Sequence, residues 1–78
     1  MIYCKLKKRG DTSAIYLFGK TVGDITGEAE FYSSLAQPSV LKQPQNGTVP
    51  DRWLAMVAVK YQEQFEKGDF PEKISYER

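Results

Sequence analysis

The sequence predicts an α+β fold: an antiparallel β-meander of three to five strands with one amphipathic helix packed on one face. Three observations predict it. The stretches 2–8, 13–19 and 25–33 have the alternating or continuously apolar character of strands. Turn-forming residues separate them. One later stretch, 48–68, carries apolar residues at helical spacing between a start signal and a stop signal.

The first strand spans 2–8. Ile2, Cys4 and Leu6 point one way, and Tyr3, Lys5 and Lys7 point the other. Cys4 then reads as a small core residue, because apolar surroundings raise a thiol's pKa and suppress its nucleophilicity. Arg9, Gly10 and Asp11 form a turn. The same three residues spell an integrin-binding tripeptide, but that reading needs a secreted chain, and the hairpin reading is the ordinary one.

The second strand, 13–19, is apolar on both faces, which suits a central position in the sheet. Ile15 and Leu17 are assigned to the buried face, and Tyr16 and Phe18 to the face carrying Tyr3 and Lys5. A slip of one residue would exchange the two sets. Gly19, Lys20 and Thr21 resemble the end of a phosphate-binding loop. That motif needs a glycine five residues before Gly19, where Ala14 stands, and a helix starting at this point, where the sequence reads as loop.

The third strand, 25–33, alternates again. Ile25, Gly27, Ala29 and Phe31 share one face; Thr26, Glu28, Glu30 and Tyr32 share the other. Two glutamates so spaced could suggest acid–base chemistry. Exposed carboxylates facing Lys5 and Lys7 across the sheet are the commoner arrangement and stabilise it mildly. A turn over 34–38 leads to a short fourth strand, 39–43, whose flanking Pro38 and Pro44 fit an edge. Gln45, Asn46 and Gly47 make a turn. Asn46, Gly47 and Thr48 match a glycosylation pattern that has meaning only in a secreted protein.

The helix follows. Thr48 is the expected N-cap, with Pro50 tolerated in the first turn and Asp51 suiting the positive end of the helix dipole. Gly68 is the expected left-handed stop, with Pro71 just beyond. The span is roughly 28 Å at ~1.5 Å per residue. Trp53, Leu54, Val57, Ala58, Tyr61 and Phe65 fall within an arc of about 140°, the stripe that packs on a sheet. Ala55, Met56 and Val59 lie outside it, either covered by a loop or the last strand or left as a small patch. A fifth strand, 73–77, puts Ile74 and Tyr76 on one face.

Composition bounds the function. The chain has 78 residues and reads as a single domain, 1–78. A chain this short buries only about 60% of the surface its unfolded form exposes, so association with a second copy would add burial. Hydrophobic residues make up 41% and aromatics 13%, which argues against disorder. The formal net charge of +1 gives no strong whole-molecule attraction to nucleic acid or anionic membrane. There is one cysteine and no histidine. That removes an intrachain disulfide, the Ser–His and Cys–His nucleophilic schemes, and a structural zinc site. No cofactor, metal or catalytic set is expected, and the chain does not read as an enzyme. The N-terminus has no signal-peptide pattern and no apolar run approaches ~20 residues, so a cytoplasmic setting without a membrane is expected.

The stretches Gly23–Phe31, Leu41–Pro44 and Phe65–Tyr76 together look like small uncharacterised bacterial proteins of similar length. The resemblance covers about two thirds of the chain and rests on strand, turn and cap features. It implies the same meander-plus-helix layout and no assigned activity.

The functional expectation rests on the sheet face away from the helix. Tyr3, Lys5, Lys7, Tyr16, Phe18 and Tyr32 are the candidate interaction residues there, with Glu28 and Glu30 beside them. Aromatic residues bring large contact area at low entropic cost, so a protein-interaction module or accessory subunit is the first reading, its partner another protein or a second copy. The alternative is single-stranded nucleic-acid binding, with Lys5, Lys7, Lys8 and Arg9 on phosphates and Tyr3, Tyr16 and Phe18 stacking on bases. The direction of Glu28 and Glu30 separates the two, since carboxylates on that face repel phosphates.

Overall fold

In the computed structural model, which describes residues 1–34 and 37–77, the strands are β1 (Ile2–Arg9), β2 (Ser13–Gly19), β3 (Gly27–Tyr32), β4 (Ser39–Lys42) and β5 (Lys73–Tyr76). The helices are α1 (Asp51–Lys60) and α2 (Gln62–Glu66). The strands form one open antiparallel sheet in the order β4-β3-β2-β1-β5. The α+β class and the meander are therefore as expected. The chain leaves the sheet at one edge, crosses it as helix, and returns as β5 at the other edge. The turn expected over 34–38 lies partly outside the described residues.

One face of the sheet is dry. On it the partners across β2 and β3 are Phe18 with Gly27, Tyr16 with Ala29, and Ala14 with Phe31. Every pair joins a large side chain to a small one. A Cβ at Gly27 would come 2.8 Å from the Phe18 ring and equally close to Pro44, so the glycine makes the space the ring occupies. Ile2, Cys4 and Ile74 complete this face from β1 and β5, and Leu54, Val57 and Phe65 close it from the helices. Phe31 and Phe65 lie 5.5 Å apart, Phe65 and Phe70 5.1 Å, and Tyr16 meets Phe31 edge-on at 5.5 Å. Rings in this offset and edge-to-face geometry add to the simple burial term.

The face assignment of β2 is a correction to the expectation. Tyr16 and Phe18 are fully buried under the helix, while Ile15 and Leu17 are half-buried on the opposite side. Cys4 pairs with Phe18 and Leu6 with Tyr16, so both rings share the face of the β1 core residues. The reason is volume: β3 offers only Gly27 and Ala29 opposite these positions, and aromatic rings fill that space. Tyr16 remains satisfied because its hydroxyl donates to the Pro71 carbonyl at 2.5 Å.

The helix also differs. It begins at Asp51, and Thr48 is exposed and makes no cap. The Gln43 side-chain amide accepts from Val49 N–H at 3.0 Å and donates to Val49 C=O at 3.3 Å, mimicking a strand neighbour. That pairing and the burial of Val49 keep the backbone extended through Pro50, whose ψ is 141°. One helix becomes two at Tyr61 (φ −104°, ψ 15°), although Tyr61 N–H still reaches Val57 C=O and Phe65 N–H reaches Tyr61 C=O. The stop is as expected. Gly68 has φ +76°, its N–H bonds Phe65 C=O, and Asp69 N–H bonds Gln64 C=O. That is the Schellman pattern, and its left-handed residue favours glycine.

Phe31→Ala should lower stability by about 3–5 kcal/mol, because it empties the centre of the aromatic cluster. Val59→Ala, at an exposed helix position, should change it by less than about 0.5 kcal/mol. Urea unfolding of both variants checks the contrast.

Candidate interaction face

The second face of the sheet carries no helix. Two rows cross it. The first runs Lys42, Glu28, Leu17, Lys5, Lys73, and the second Ser39, Glu30, Ile15, Lys8. The central strand contributes the half-buried aliphatics Ile15 and Leu17. Acids line β3 on one side of them and lysines line β1 on the other. Lys7 is the extra residue of a bulge between Leu6 and Lys8. Its Nζ still reaches Glu28 Oε1 at 2.9 Å, a half-exposed pair of the kind that contributes little to stability. Glu30 accepts from Ser13 Oγ at 2.7 Å and from Tyr32 OH at 3.4 Å, and Tyr32 OH shares a hydrogen bond with Ser39 Oγ at 2.8 Å.

At the Tyr3 end a loop rises over this face. A Cβ at Gly19 would run into the Asp24 carbonyl oxygen, so the close crossing there requires glycine. The loop is tied down from the far side. Asp24 accepts from Thr26 Oγ1 at 2.8 Å and from Asn46 N–H at 2.9 Å, and Thr26 Oγ1 accepts from Gln45 N–H at 2.8 Å. Val22 and Ile25 on the loop, with Tyr3, Lys5, Lys73 and Ser75, frame a shallow groove.

Of the residues read from the sequence, Tyr3, Lys5, Lys7 and Tyr32 share this face with Glu28 and Glu30, Tyr3 beside Gly19 at one end and Tyr32 beside Ser13 at the other. Tyr16 and Phe18 do not; they belong to the core. Ile15, Leu17, Lys42 and Lys73 belong to the face and were not among the candidates; Lys8, named only for the nucleic-acid alternative, lies there too. The small residues Gly27 and Ala29 on β3 are the signal that would have found Ile15 and Leu17, by sending the neighbouring aromatics inward. Gly19, Lys20 and Thr21 end β2 and enter a turn, with Thr21 C=O accepting from Asp24 N–H; no helix begins there. Lys20 Nζ instead lies 5.5 Å from the centre of the Trp53 ring. At the Tyr32 end of β3, where the sheet edge meets the helix, Ala55 and Val59 border a small cleft with Tyr32 and Pro38.

Among the described residues no group of three or more Cys, Asp or Glu is placed to hold a metal ion, and no helix is long and apolar enough to cross a membrane. No protein-family model, no curated protein and no solved structure matches the chain.

Burial pushes the Cys4 thiol up from 9.0 to about 12, and burial is also the main cause raising the Tyr16 phenol above its ordinary 10.0. Both groups fold in their neutral forms. Unfolding releases them to ionise at ordinary values, so their stabilising contribution is complete below about pH 9. It is lost as pH rises towards about 12. The urea midpoint should therefore fall between pH 9 and 11, and Cys4→Ala should flatten part of that fall. The native thiol should resist alkylation at pH 8 and react once the chain unfolds.

Proposed function

We propose that the chain is a protein-interaction module that binds through its helix-free sheet face. The observation that carries this reading is a central aliphatic pair, Ile15 and Leu17, set between acids on β3 and lysines on β1. Apolar residues within a ring of charge are the layout of an interface core and its polar rim. The edges are poor alternatives. Both edge strands have four residues, β4 is flanked by Pro38 and Pro44, and it carries a bulge at Leu41. Shortness on both edges, with a bulge and flanking prolines on β4, discourages strand addition, which favours the face as the surface for a partner.

Nucleic-acid binding draws less support. Two of its three stacking residues, Tyr16 and Phe18, are fully buried, and Glu28 and Glu30 lie on the same face as the lysines. In titration with mixed-sequence single-stranded DNA and RNA at low salt, the amide spectrum should stay unchanged.

The direct test is a photo-cross-linker placed at Leu17, with a second at exposed Glu63 on the outer helix surface as control. In cells, Leu17 should trap a protein and Glu63 should not. Equal adducts at both positions, or nucleic acid trapped at Leu17, would overturn the reading.

A further inference from the structure

The charge pattern of the open face is self-complementary. We infer that its partner is a second copy of this chain, packed face to face about a two-fold axis running along β2. The inference rests on the reading that this face is the interaction surface.

β2 is the middle of five strands. A half-turn about it lays β3 of one copy over β1 of the other and sets Ile15 and Leu17 against their own counterparts. Strand position is preserved, so each row meets itself reversed. Glu30 then stands over the partner copy's lysine at position 8, and Glu28 over its lysine at position 5. A two-fold axis across the strands would instead stack lysines on lysines and glutamates on glutamates, so the charges select the first arrangement. Two sheets packed this way lie about 10 Å apart with strands within about 30° of each other, and the aliphatic row fills the gap.

Within one copy β2 lies between Glu30 and Lys8; Lys7 spans that distance to Glu28, but Glu30 is held by Ser13 and Tyr32 and forms no ion pair with Lys8. Among the described residues Lys7–Glu28 is the only ion pair, so Lys5 and Lys8 have no acidic partner among those residues. The unfavourable contact is Lys42 over the partner copy's residue 73, also lysine. It lies on the outermost strands, where long side chains reach water and salt screens them. The loop crosses β2 over Gly19 and brings Val22 and Ile25 towards Lys5 and Lys73, so in this arrangement the two loops stand near the axis at the Tyr3 end and bound the packed rows there.

The test uses charge reversal in the full chain. Sedimentation from about 10 µM to about 1 mM should show a reversible dimer of the parent chain. Lys8→Glu and Glu30→Lys should each weaken self-association by at least about tenfold, since each puts like charges together twice across the axis. The double variant should regain it. Mixing the two single variants should give a heterodimer, because each then supplies the sign the other lacks. Amide spectra establish that each variant is folded, and Lys5→Glu with Glu28→Lys provides a second set. A parent chain that stays monomeric throughout overturns the inference, as does a mixture of single variants that fails to associate. If Leu17 traps a different protein while the purified chain stays monomeric, the self-association fails and the interaction reading survives.

Discussion

The structure depends on a packing constraint between β2 and β3. Gly27 and Ala29 leave room on the helix side, and Phe18 and Tyr16 take it; Phe31 fills the complementary space above Ala14. Large opposite small in each pair gives a filled layer without overpacking. It also locks the register, because a shift of one residue would set Phe18 and Tyr16 opposite Glu28 and Glu30, and a shift of two would set Tyr16 against Phe31 or Ala14 against Ala29. Phe65 and Phe70 then close the cluster, and the Tyr16 hydroxyl ties it to the Pro71 carbonyl.

The connections follow from that layer. β4 ends beside β3, and the chain must cross the whole sheet to reach β5. Gln43 holds Val49 through both backbone groups, and Asp24 ties the β2–β3 loop to the Asn46 turn. These polar contacts do the work the missing helix cap would have done: they set where the backbone can begin to coil. The same loop, pressed against Gly19, forms the wall at one end of the open face.

With the aromatics committed to one side, the other side is left with aliphatics and charges. The acids and lysines sit on different strands with an apolar row between them. That segregation allows the face to complement itself.

Much of this was legible in the sequence. Period-two alternation in β1 and β3, the proline-bounded β4, the amphipathic stripe from Leu54 to Phe65 and the left-handed Gly68 all follow from local rules that act within a few residues. So does the outward direction of Glu28, Glu30 and Tyr32, because β3 alternates clearly. The facing of β2 does not follow, since a strand apolar on both sides has no preferred face until its neighbours are known. The volume left by Gly27 and Ala29 decided it, and with it the removal of Tyr16 and Phe18 from the candidate surface. The helix start was likewise decided from a distance, by the Gln43 amide that holds Val49 extended beyond Thr48. Local propensity determined the elements; non-local volume and hydrogen-bond demand decided which faces they turn to each other.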